Sequence, residues 1–101
     1  MPSPLTTGHV LAPRDWIAGL EKGLSIIETF DDAHPRLTAS QAGQRCGMTR
    51  TVARRLLLTL AHLGFVATDG KLFWLTPRVL RLGQGFIESS RLARIAQPFL
   101  Q

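Results

Sequence analysis

Residues 38–63, TASQAGQRCGMTRTVARRLLLTLAHL, carry a helical pattern that is broken once, at Gly47-Met48-Thr49. The pattern requires two helices joined by a tight turn, the second with arginines beside a leucine-rich flank. The next twelve residues, GFVATDGKLFWL (64–75), read as a β-hairpin with Asp69-Gly70 at its turn. A helix-turn-helix followed by a two-stranded wing is a device for setting one helix in the DNA major groove. The expected fold is mainly α with a small β-hairpin: a winged helix-turn-helix followed by a linker helix.

Residues 1–14 hold three prolines and no periodicity, and are expected to form a flexible arm. The DNA-binding unit is expected over 15–76, and linker helices over 77–101. The first helix is expected from Asp15, as its cap, to Phe30. Leu20, Leu24, Ile27 and Phe30 recur at helical spacing as its core face, with Gly23 on the same side. Asp31 to Pro35 then favour a turn.

The second helix starts at Thr38 or Ser40, either of which can cap it, and runs to Cys46. Its inner face is small: Ala39, Ala42, Gly43 and Cys46. Glycine inside a helix costs roughly 1 kcal/mol relative to alanine, so a close helix crossing at Gly43 is the expected compensation. Gly47 suits the left-handed closing position, Met48 is expected beneath the turn, and Thr49 caps a third helix that Gly64 ends. On that helix Ala53, Leu56, Leu57 and Leu60 cluster on one side. Thr51, Arg54 and Arg55 fall on the opposite arc, Arg50 stands at the exposed start, and Leu58 projects outward.

The wing strands are expected over 65–68 and 71–75, with one of Phe73 and Trp74 in the core. Thr76-Pro77 opens a further helix, with a break near Gly83 and Gly85. A last helix is expected from Ser89 or Ser90 to the end of the chain.

The charge agrees with this arrangement. The chain has 101 residues, one domain's worth, and a formal net charge of +5. Residues 1–35 hold two cations against five anions, whereas residues 36–101 hold ten cations against two anions. The positive field therefore coincides with the helix-turn-helix, as a polyanionic partner requires. Ten of the twelve cations are arginine, the better match to phosphate and guanine.

Base contacts are expected from Arg50, Thr51 and Arg54, and backbone or mixed contacts from Thr49 and Arg55. Ser40 joins this set from the second helix. Lys71 on the wing is expected at a phosphate or in the minor groove. Asp69 would be repelled by phosphate and is expected to turn away and shape the turn. The alternative is a winged-helix protein-interaction module that binds no DNA, but such a module has no need of an arginine-rich third helix. His9, His34, His62 and Cys46 show no metal-ligand spacing, and no nucleophile has a histidine and acid partner. No metal, cofactor or enzymatic activity is expected. The lone cysteine excludes an intrachain disulfide, and no signal peptide or apolar span is evident. A cytoplasmic protein is the expectation.

The segments GLEKGLSIIETF, LTASQAGQRCGMTRTVARRLLLTLAHLGFV and TDGKLFWLTPRVLRLGQGF together resemble the N-terminal domain of the IclR family of bacterial transcription regulators. TRTVARRLLLTL and LTPRVLRLG look most like the branch controlling catabolism of aromatic acids such as protocatechuate and 4-hydroxybenzoate. The resemblance implies a homodimer on palindromic or repeated double-stranded operators. It also implies a small-molecule effector bound by a C-terminal domain that is missing from this chain. Lys22 stands where the family usually has an arginine that can contact DNA, and it keeps the charge without the fork.

Overall fold

The computed structural model describes residues 10–89. The arm residues 1–9 and the expected last helix, with Arg91 and Arg94, lie outside the described residues. Four helices and three short strands follow in the order α1 (Ala18–Ile27), β1 (Leu37–Thr38), α2 (Ala39–Cys46), α3 (Arg50–Leu63), β2 (Val66–Thr68), β3 (Leu72–Leu75) and α4 (Leu80–Ser89).

The three-helix centre packs α1 and α2 onto α3, and the strands close one side as an antiparallel sheet of order β1-β3-β2. The core is Ile26 of α1, Ala39 and Ala42 of α2, Ala53, Leu57 and Leu60 of α3, and Leu37, Val66 and Phe73 of the sheet. Phe73, Ile26 and Leu57 are its largest fully buried side chains. Met48 and Cys46 are half-buried against it. The Cys46 thiol donates to the Ala42 carbonyl at 3.1 Å, and partial burial raises its pKa. That thiol is a packing group.

The first helix departs from expectation at both ends and in its face. Pro13–Asp15 forms a separate 3-10 turn, and α1 begins only at Ala18. Trp16 and Ile17 are extended, so Asp15 caps nothing of α1, and the Trp16 indole N–H donates across the gap to Glu21 Oε1 at 3.2 Å. At the other end the Thr29 hydroxyl turns back onto the Ile26 carbonyl at 2.6 Å, closing the helix before Phe30. Ile26, not Leu20 or Leu24, is the deep contact. Leu20 and Leu24 are 61% and 51% exposed, while Ile27 and Phe30 are half-buried. Leu20 and Leu24 lie about 240° and 200° around the helix from Ile26 at roughly 100° per residue, so the face that buries Ile26 cannot bury them too.

Two further departures concern the ends of the wing. β1 was not expected: two residues are too short to show a strand period. The helix after Pro77 does not break at its glycines. A 3-10 turn over Pro77–Val79 runs into α4, which is continuous through Gly83 and Gly85.

Candidate nucleic-acid interface

The turn between α2 and α3 sets the position of every residue in front of it. Gly47 adopts φ +74°, left-handed, and the Met48 amide donates to the Gly43 carbonyl at 2.8 Å. Thr38 caps α2: its hydroxyl accepts from the Gln41 amide at 3.1 Å, and Gln41 Oε1 accepts from the Thr38 amide at 2.9 Å. This capping box fixes the first turn of α2, where Ser40 is exposed. Thr49 caps α3, its hydroxyl accepting from the Val52 amide at 3.2 Å. The Thr49 oxygen thus has a structural partner already.

With Ala53, Leu57 and Leu60 buried behind it, α3 presents Arg50, Thr51 and Arg55 exposed and Arg54 half-buried at its front. Leu56 packs at the core margin and Leu58 faces outward, as the helical wheel requires.

The hairpin pairs Val66 with Leu75 and Thr68 with Phe73. Continuing that register leaves Gly70-Lys71 at the tip, and Gly70 is the one wing residue with positive φ, at +100°. Glycine first in a two-residue hairpin loop accommodates that angle without Cβ strain. Asp69 turns inward: Oδ1 accepts from the Lys71 and Leu72 amides at 2.9 and 2.8 Å. Those bonds, Leu72 first, lower the Asp69 pKa. Its charge is held in the turn, which leaves Lys71 exposed beside it.

Four residues singled out from the sequence meet here. Ser40, Arg50, Arg54 and Lys71 line one cleft of about 280 Å³ between α2, α3 and the wing, together with Thr38 and Gly70. No carboxylate lines it. Among the described residues, Asp31 pairs with Arg45 and bonds to the His34 ring, and no carboxylate at ion-pair distance neutralises these cations. Three uncompensated cations around one concavity focus a field that attracts an anion. Thr51 and Arg55 stand on α3 outside the cleft, and Lys22 is exposed on α1 without lining it.

Other cations have different duties. Arg45 Nε donates to the Thr29 carbonyl at 3.0 Å, and its terminal nitrogen meets Asp31 Oδ2 at 3.0 Å, tying α2 to the end of α1. Arg78 lies 5.2 Å from the Phe65 ring centroid. Arg36 stacks 4.1 Å from the centroid of Trp74, a pairing that the sequence did not announce because β1 was not foreseen. Among the described residues no group of His, Cys, Asp and Glu could hold a metal ion, and no helix is long and apolar enough to cross a membrane.

Comparison with known proteins agrees with this geometry. Residues 19–70 match the IclR helix-turn-helix domain. The chain is 48% identical over 86 residues to the p-hydroxybenzoate hydroxylase transcriptional activator of Acinetobacter baylyi, covering 85% of this chain and 32% of that protein. It is 38% identical over 95 residues to the Pca operon regulatory protein of the same organism, covering 94% and 34%. The chain thus spans about a third of the length of these curated relatives. An IclR-family transcriptional regulator from Brucella abortus superposes with a TM-score of 0.76 at 25% identity, covering all of this chain and 40% of that one. A Rhodococcus sp. RHA1 chain described as a transcriptional regulator gives 0.71 at 48% identity, covering 82% and 33%. A capped α2, a glycine turn, an arginine-fronted α3 and a wing, over a matching sequence, mean that this chain belongs to the IclR family by its helix-turn-helix domain.

Proposed function

We propose that this chain binds double-stranded DNA in a sequence-specific manner, with α3 in the major groove and the wing on the backbone or minor groove. The observation that carries the reading is the cleft where Ser40, Arg50, Arg54 and Lys71 converge without a carboxylate. Arg50, Thr51 and Arg54 read base edges. Ser40, Thr49, Arg55, Lys22 and Lys71 hold phosphates or make mixed contacts. Arginine's planar fork meets guanine O6/N7 or a phosphate with two parallel bonds.

The working unit in this reading is a homodimer. Trp16, Ile17, Leu20 and Leu24 line an open apolar concavity of about 590 Å³ on the outer side of α1. A second, of about 250 Å³, runs from Leu20 and Leu24 to Leu63 and Leu82 of α3 and α4. Contiguous exposed apolar surface of this kind marks an association face. Two copies joined there would present their α3 helices to half-sites about 34 Å apart, or a multiple of that.

By analogy with the relatives, the genes under control are those of aromatic-acid catabolism. A small-molecule effector belongs to this reading through the family resemblance, and the relatives extend beyond the third of their length that this chain spans. Selection of bound duplexes from a random library tests the reading. An enriched motif with two related half-sites is the expected result; recovery of unenriched sequence overturns it.

A further inference from the structure

The outer face of the wing carries a feature that the α3 contacts do not use. β1 pairs antiparallel with β3, Leu37 opposite Phe73 and Thr38 opposite Leu72. Side chains alternate along a strand. Leu37 and Phe73 both point into the core, so Arg36 and Trp74 share the opposite face. The Arg36 guanidinium carbon sits 4.1 Å from the indole centroid. Arg36 is exposed and Trp74 half-buried.

Stacking engages the flat face of the guanidinium and leaves its in-plane N–H donors free. No ion pair among the described residues includes Arg36. Asp69, whose charge Arg36 feels at longer range, holds its Oδ1 on the Lys71 and Leu72 amides. Arg36 is therefore a fork laid flat on Trp74, with no carboxylate at ion-pair distance among the described residues. It also stands two residues before Thr38, which lines the cationic cleft. Two strand residues span about 7 Å, which keeps Arg36 at the margin of that cleft.

We propose that Arg36, held against Trp74, grips a DNA phosphate from the outer face of the wing. This phosphate is additional to those met by α3 and the wing tip. The proposal rests on the DNA-binding reading and extends the footprint beyond the residues assigned there. Trp74 acts as a positioning residue: it limits the arginine's rotamers and touches no DNA itself. A phosphate contact carries affinity without sequence information.

The test is duplex affinity against salt for the whole chain and its variants, on a selected site and on random duplex. Arg36→Ala is expected to flatten the log–log slope by about 0.9 and, at about 0.1 M salt, to weaken binding roughly eightfold, the value of one released counterion. Both duplexes should lose by the same factor, and thermal unfolding should shift only slightly, by the loss of one exposed stacking contact. Trp74→Leu keeps the cation, so it should weaken binding while leaving most of the slope, and Trp74→Phe should restore the affinity. Arg36→Ala binding with wild-type slope and affinity overturns the proposal. A loss confined to the selected site also overturns it, since that would be base readout. Wild-type chain that binds neither duplex overturns the DNA-binding reading, and this contact with it.

Discussion

The Met48 carbonyl oxygen lies 2.7 Å from the point where a Cβ on Gly43 would sit, and the Ala53 methyl is 3.2 Å from that point. α2 and α3 with the turn between them therefore meet at a distance that only a hydrogen at position 43 allows. Gly43→Ala gains helix propensity of about 1 kcal/mol but overpacks the crossing at a cost of about 1–3 kcal/mol. A net loss of about 1 kcal/mol is expected, read as a lower thermal midpoint. An unchanged or raised midpoint would mean that α2 can move off α3 freely.

Acid should weaken the fold through two carboxylates. The Asp31 pKa is lowered from the ordinary 3.8, first by its side-chain bond to His34 and also by Arg45; burial opposes. The Asp69 pKa is lowered by the Leu72 and Lys71 amides. A carboxyl with a lower pKa in the folded state contributes stability that is present above its unfolded value. That contribution is lost as pH falls through the folded value. Urea midpoints should therefore drop as pH goes from about 5 toward 2. Asp31→Asn and Asp69→Asn should each lower the neutral-pH midpoint and flatten the acid limb. Identical pH profiles for wild type and both variants would contradict the assignment.

Arg54 and Lys71 line the same cleft, yet they should fail differently. Arg54→Ala should cost about 1–3 kcal/mol on a selected site and relax its sequence preference. Lys71→Ala should weaken all duplexes alike and reduce the salt slope by about 0.9. Equal losses on selected and random DNA for Arg54→Ala would reduce that arginine to a phosphate holder. Competition binding with labelled duplex distinguishes the outcomes.

The outer side of α1 offers a separate test. Leu24 is 51% exposed and lines both apolar concavities. Leu24→Lys should leave the thermal midpoint within about 0.5 kcal/mol of wild type while shifting sedimentation toward the monomer. A variant that still self-associates would remove α1 from the dimer surface.

The parts legible in the sequence were those fixed by local chemistry. Thr38 and Thr49 cap their helices, Gly47 and Gly64 take positive φ, Gly43 marks a close crossing, and Asp69-Gly70 marks the hairpin, although its loop is Gly70-Lys71 and the strand starts at Leu72 rather than Lys71. Each depends on neighbours within a few residues. The face of α1 was not legible, because Leu20, Leu24 and Ile26 are equally apolar and only tertiary packing selects among them. β1 was hidden for a related reason: it is a strand only because β3 lies beside it. Arg36 went unnoticed as a consequence, since its partner Trp74 is 38 positions away. Gly83 and Gly85 read as a break, yet α4 runs through them without one. Propensity near 1 kcal/mol per glycine is a weak force against a continuous helix.

In the proposed mode of binding, the front of α3 meets DNA with its arginines while its leucines hold it from behind. Fluorescence anisotropy of a labelled selected duplex, titrated with the chain from about 50 to 200 mM salt, tests it most directly. Affinity should fall along a straight log–log line, and Arg50→Ala with Arg54→Ala together should abolish preference for the selected site over random duplex. Salt-independent binding, or undiminished preference in the double variant, would mean that another surface does the reading.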